Sequence, residues 1–271
     1  MSNSKGVNFF YGNAFGRMIL KTIMVLHLDR VAVWFLRSKL SQPMIKGYVK
    51  HNNIDLCGTP LSSFKTYRDF FVRTRDCSAV DTVPSHLVSP CDGWLSAFEI
   101  NSDSCFNIKS SHYFIKDFLQ DESLAKAYEG GTCLVFRLCA SDYHHYAYVD
   151  NGYQHENHFI EGILHSVQPI ACEKYPVFVK NRRSWCLMDT DNFGAVVQCE
   201  IGALVVGGIV NKNENCRFIK GGEKGHFDLA GSTIVLLFEA GKIELNEEII
   251  SDLAHSEEVR VTLGKWIGIA K

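Results

Sequence analysis

The chain has 271 residues, 46% of them hydrophobic and 21% charged, which suits one large domain or two small ones with a sizeable core. A formal net charge of −2 argues against a nucleic-acid partner. Ten cysteines are scattered without a C-x-x-C pair in a chain long enough to fold without staples, so a reduced, intracellular setting is expected.

Met1 to Asn13 is polar and aromatic and lacks the apolar run of a signal peptide. Ala14 to Leu40 is rich in apolar residues, but Arg17, Lys21, Asp29, Arg30, Arg37 and Lys39 interrupt it. No uncharged run reaches the roughly 18–20 residues that span a bilayer. Phe15, Ile19, Ile23, Leu26 and Arg30 share a helical stripe, which predicts one amphipathic helix or two. Such a helix either packs on the protein's own core or lies in a membrane interface with its basic side chains reaching headgroups. Ser62 to Thr74 reads as a short helix with an aromatic face and a basic edge.

After Val83-Pro84 the character changes. "HLVSPCDGWLSAFEI", "GTCLVFRLCASDYHHYAYVD", "GALVVGGIV" and "STIVLLFEAGKIEL" are strand-like runs with glycine breaks. Lys116 to Tyr128 is predicted as a helix and Asn181 to Asp191 as a loop. The expected fold is α+β, with N-terminal amphipathic helices packed on a β-rich barrel-like or sandwich-like body. The helical region is expected to cover 1–62 and the β-rich domain 63–271.

Candidate chemistry is sparse. His155, Glu156 and His158 lie close together but lack the helical H-E-x-x-H spacing, so no metal is expected. "GGEKGHFDLAGST" is glycine-rich but lacks the lysine of a phosphate-binding loop. Asp92 in "SPCDG" stands at a sharp turn, and His144 and His145 lie in an aromatic, strand-like run. Ser232 opens the apolar Ile234 to Phe238 run. Carboxylate, imidazole and hydroxyl are the parts of an acid, base and nucleophile set, although sequence spacing does not show that they meet.

Six stretches carry a resemblance, in order: "DFFVR" at 69–73, "LVSPCDG" at 87–93, "FNIK" at 106–109, "RLCASDYHHY" at 137–146, "IGALVVGGI" at 201–209 and "KGGEKGHFDLAGSTIVLLF" at 220–238. Together they make the chain resemble the phosphatidylserine decarboxylases from about Phe64 onward. The resemblance implies a pyruvoyl enzyme that cuts itself between Gly231 and Ser232. Its two chains, 1–231 and 232–271, would stay associated, and it would turn phosphatidylserine into phosphatidylethanolamine and carbon dioxide at a phospholipid membrane. Related enzymes are commonly homodimers.

The chemistry explains the residue types. Decarboxylating an amino acid leaves a carbanion beside nitrogen, which needs an electron sink that ordinary side chains lack. A serine can become one. Its hydroxyl attacks the preceding carbonyl to give an ester, β-elimination leaves dehydroalanine, and hydrolysis yields a pyruvoyl group and ammonia. Ser232 supplies the hydroxyl, Gly231 a small and tolerant neighbour, a histidine the base, and Asp92 the carboxylate expected to fix that imidazole's tautomer. Well-studied members read D-Y-H-x-x-H, whereas here Ala147 stands at the second histidine. His144 is therefore expected to serve both self-cleavage and decarboxylation. His145 is the second candidate base, because in a strand it shares a face with Ala147 at about 7 Å. A decarboxylase of a soluble amino acid and an unprocessed lipid-binding relative are the alternatives.

Overall fold

The computed structural model describes residues 5–25, 29–75, 79–101, 103, 105–108, 111–163, 165–166, 170, 176–203, 208–229 and 232–271. The chain opens with helices Lys5–Gly12, Ala14–Val25, Asp29–Arg37 and Gln42–Asn52, then a short helix Tyr67–Phe71. Thr66 and Asp69 close a reciprocal capping box at the start of that last helix. The predicted amphipathic segment is thus two helices, and the predicted Ser62 to Thr74 helix is confined to Tyr67–Phe71.

An antiparallel sheet forms the centre of the body. Its strands run in the order Cys216–Phe218, Gly152–Gln154, Arg183–Thr190, Gly194–Gly202, Ser232–Phe238, Thr132–Leu138, Gly93–Glu99, Val259–Val261. The Ser232–Phe238 strand lies between two long neighbours, and every one of its residues is buried. Val235 and Leu237 point into one core with Phe118, Tyr128 and Phe178. Ile234, Leu236 and Phe238 point into another with Tyr146, Phe227 and Ile267. Because both faces are covered, the strand reads as a continuous apolar run instead of an alternating one.

The helices Ile115–Leu119, Glu122–Ala127 and Val177–Lys180 cover the first face. Two small sheets cover the second: Gly208–Asn211 with Glu223–Asp228 and His145–Ala147, and His86–Val88 with Trp266–Ala270 and Ile243–Leu245. The sheets are layered and open, so the body is not a closed barrel: the edge strands Cys216–Phe218 and Val259–Val261 do not pair with each other.

Two segments differ from the sequence reading. The single helix expected over Lys116 to Tyr128 is split by Gln120, which takes a left-handed φ of 56°, and by Asp121, whose carboxylate caps the second helix at the Leu124 amide. Asn181 to Asp191, read as a loop, contains the strand Arg183–Thr190. Its "RSWCLMDT" lacks the β-branched run that signals a strand. Arg183 is nonetheless buried, because its guanidinium donates to the carbonyls of Asp117, Phe118, Val179 and Asn181. Among the described cysteines, Cys91, Cys133, Cys139, Cys186, Cys199 and Cys216 are free thiols and Cys57 is disulfide-bonded.

The N-terminal helices are joined to the body. Ile45 of the fourth helix packs with Phe64, Tyr67, Phe70, Phe71 and Leu229, a cluster that draws on both sides of residue 62. Tyr11 of the first helix is fully buried in the main core.

Candidate active site

Ser232 is the first residue of its strand, facing Leu138 on one neighbour and Gly202 on the other. Ala230 and Gly231, and so the expected cut, fall outside the described residues. The approach to them is held firmly. Asp228 is buried and accepts from Arg37 of the third helix at 2.9 Å and from Arg68 of the Tyr67–Phe71 helix at 2.9 Å. The next residue, Leu229, is buried at a φ of 41°, a left-handed conformation that costs a non-glycine residue about 1–3 kcal/mol. Two arginines and the aromatic cluster around Leu229 keep that strained backbone in place.

His144 and Ser232, 88 residues apart in sequence, meet with His144 Nδ1 3.3 Å from Ser232 Oγ. Both are essentially excluded from solvent. The imidazole lies flat on Phe71, ring centroids 4.0 Å apart, so the "DFFVR" helix forms the lid of the site. Burial, and then the nearby Arg73 guanidinium, lower the His144 pKa to about 3. The imidazole is therefore neutral, and a base at Nδ1 requires the proton on Nε2. Nε2 is buried without a hydrogen-bond partner among the described residues, although the carbonyls of Cys139 and Ala140 act on the ring in the opposite sense to burial.

Asp92 does not supply that partner. Its carboxylate accepts two bonds from Arg75, at 2.8 and 3.0 Å, and one from the Leu263 amide at 2.9 Å. Burial raises its pKa, but Arg75 and the Leu263 amide outweigh burial and hold Asp92 below the ordinary carboxylate range. Arg75 in turn lies over the Tyr143 ring at 4.4 Å, and Tyr143 stacks on His145. Asp92 thus reaches the histidine pair through an arginine and a tyrosine.

His145 faces away from Ser232. Its Nδ1 lies 2.7 Å from Glu223 Oε1 and its Nε2 3.1 Å from the Val72 carbonyl. Successive side chains of an extended chain point to opposite sides, and the two neighbouring histidines meet different partners. Of the other histidines considered for a metal, His155 pairs with Asp189 and His158 with Glu156.

Sequence reasoning missed Phe71, Arg73 and Arg75, although the quoted "DFFVR" stretch contains the first two. It also missed His165, a buried imidazole whose own backbone is bracketed by the Asn181 side chain. Asn181 donates onward to the Gly202 carbonyl, opposite Ser232 in the sheet.

The family profile described as phosphatidylserine decarboxylase matches residues 67–268. The chain belongs to the phosphatidylserine decarboxylase family. A phosphatidylserine decarboxylase proenzyme 2 of Clostridium acetobutylicum is 37% identical over 265 residues, covering 97% of this chain and 91% of the relative. A phosphatidylserine decarboxylase proenzyme of Ruminiclostridium cellulolyticum is 37% identical over 270 residues, 97% of this chain and 90% of the relative. One from Clostridium botulinum is 34% identical over 279 residues, 100% of this chain and 95% of the relative. The phosphatidylserine decarboxylase profile begins at Tyr67, the first residue of the helix that covers His144.

Proposed function

We propose that this chain is a self-processing phosphatidylserine decarboxylase, with Ser232 as the source of its pyruvoyl group and His144 as the base of self-cleavage. The observation that carries the reading is the contact between His144 Nδ1 and Ser232 Oγ in a water-excluded site. His144 takes the Ser232 hydroxyl proton as Oγ attacks the Gly231 carbonyl. Asp228, held by Arg37 and Arg68, steadies the chain leading to that carbonyl. The pairs to Leu138 and Gly202 fix Ser232 in the sheet, so the new chain start stays anchored after the cut.

The residues present fit a pyruvoyl group: it would replace a small buried side chain at a strand end, beside a neutral imidazole able to hold or return a proton. When present, that group supplies the electron sink for loss of carbon dioxide. With Ala147 at the family's second histidine, His144 serves both stages. Asp92 acts as a positioning residue through Arg75 and Tyr143, and His145 is not the self-cleavage base.

The substrate is expected at a membrane surface. No helix among the described residues is long and apolar enough to cross a bilayer. Phe15, Met18 and Trp34 on the N-terminal helices, and Leu40 in the turn after the third, are exposed in a stretch that also carries exposed Arg30 and Lys39, a composition suited to peripheral docking. Intact mass spectrometry tests the central claim. Wild type should give chains 1–231 and 232–271, the latter without a free amine, while Ser232→Ala and His144→Ala stay whole. Activity in a single uncut wild-type chain would overturn it. Equal activity on free serine and on bilayer phosphatidylserine would favour the soluble-substrate alternative.

A further inference from the structure

Three side chains outside the Ser232–His144 contact converge. His145, Glu223 and His226 each offer one ligand atom, and these atoms lie within 4.8 Å of one another. The strands His145–Ala147 and Glu223–Asp228 pair antiparallel, with His145 opposite His226 and Ala147 opposite Glu223, and so bring the three together.

His145 presents both ring nitrogens to acceptors: Nε2 to the Val72 carbonyl at 3.1 Å and Nδ1 to Glu223 Oε1 at 2.7 Å. A neutral imidazole has one N–H, and a carbonyl can only accept. A neutral ring can satisfy only one of the two contacts; with its N–H on the Val72 carbonyl, the Nδ1 lone pair faces a carboxylate oxygen. That contact requires positive charge between the two atoms, either a second proton or a metal ion. His226 favours the ion. Its ring lies 4.9 Å from that of His145, and its Nδ1 is buried with no hydrogen-bond partner among the described residues. A proton shared by His145 and Glu223 leaves this nitrogen unused, whereas a metal employs it.

We propose that His145 Nδ1, a Glu223 carboxylate oxygen and a ring nitrogen of His226 form a three-ligand site for a divalent transition-metal ion of the zinc class. Two imidazoles and one carboxylate match that ion's preference for nitrogen and oxygen ligands with a fourth position open. The Nε2–H bond to Val72 is the kind of outer contact that fixes a metal-binding imidazole's tautomer. Zinc ligands stand about 2.0–2.2 Å from the ion, so each side chain must draw in by no more than about 1 Å. The Glu223 side chain is itself 35% exposed, so an ion can reach its carboxylate from solvent. Lys212 Nζ, 2.8 Å from Glu223 Oε1, is the group the ion would displace. A bound ion would tie together the two strands whose His145 end adjoins the base His144.

Purified wild-type protein, stripped with a chelator, should be titrated with zinc against a chromophoric competitor. One ion per chain is expected. His226→Ala and Glu223→Gln should each weaken binding at least tenfold, with unchanged far-ultraviolet circular dichroism. Lys212→Met, a substitution at an exposed site, should tighten it. With cobalt in place of zinc, the visible spectrum should show nitrogen and oxygen ligation without a thiolate charge-transfer band. A thiolate band would assign the ion to cysteines and overturn the proposal. Absence of stoichiometric binding, or equal affinity in wild type and all three variants, would overturn it as well. None of these readouts depends on self-cleavage or decarboxylation.

Discussion

His144 and Asp92 occupy separate polar arrangements in the same neighbourhood. His144 is neutral and set on Ser232, while Asp92 is ionised and set on Arg75. If Asp92 works by holding Arg75, then Arg75→Ala should slow chain cutting about as much as Asp92→Asn. If Asp92 instead moves onto Nε2 during the reaction, Asp92→Asn should be far worse, since losing a tautomer-fixing carboxylate costs about 10⁴-fold in serine–histidine systems. A time course of cutting for the two variants, followed on denaturing gels, separates the cases. His165 gives a pH prediction. Burial, then the field of Lys180, lowers its pKa below the usual value. A depressed folded pKa means the unfolded chain binds the proton first as pH falls. The stability contributed is thus fully present above about pH 6.5 and is lost as pH drops through the folded pKa. In the uncut Ser232→Ala protein, urea unfolding between pH 6.5 and 5 should lose up to about 1.4 kcal/mol per pH unit from this residue. His165→Gln should flatten that slope, and an unchanged slope would show that His165 does not contribute.

At the scale of elements, the N-terminal helices have two faces with different work. Tyr11 and Ile45 are buried in the body, and Arg37 grips Asp228 just before the expected cut. Phe15, Met18, Trp34 and Leu40 remain exposed, Trp34 at 66% and Leu40 at 67%. Removing the whole segment would destroy the first set of contacts along with the second. Point changes on the exposed face are the cleaner test. Trp34→Ser combined with Leu40→Ser should reduce flotation with anionic liposomes and activity on bilayer substrate. Thermal stability should hold, because exposed substitutions usually stay within about 0.5 kcal/mol. Undiminished flotation would assign these side chains no part in docking. The short Tyr67–Phe71 helix is also an active-site element, since Phe71 covers His144 and the Val72 carbonyl fixes His145.

At the scale of the whole molecule, a buried ion pair joins the central sheet to one of the small sheets. Lys224 Nζ lies 2.8 Å from Glu200 Oε1, and both side chains are inaccessible to solvent. Gln198 and Asn211 donate to the same carboxylate. Glu200 belongs to the strand beside Ser232–Phe238, while Lys224 belongs to the strand that leads toward the cut. Lys224→Met should cost about 3–5 kcal/mol by leaving Glu200 charged and unpaired. Lys224→Met with Glu200→Gln should recover much of that loss. Thermal unfolding of the uncut Ser232→Ala protein measures both, and equal losses in the single and double variants would remove the pair from any role in joining the sheets.

Local pattern alone determined much of this protein. The apolar run after Ser232 had to be a doubly covered strand, the interrupted apolar segment near the start had to be amphipathic helix, and "DFFVR", "SDYHH" and "HFDLAGST" carried the family. Those features depend on side-chain type and short-range period, which a sequence displays directly. The strand at Arg183–Thr190 was hidden because Arg183 is buried only through carbonyls that other elements bring to it. Two adjacent histidines look equivalent on paper, but backbone direction sends His144 to Ser232 and His145 to Glu223. Asp92 had the right chemistry to orient a histidine, yet Arg75, 17 residues upstream, holds the carboxylate instead. Partner choice of this kind depends on distances set by the packing of sheets and helices, and only the tertiary structure decided it.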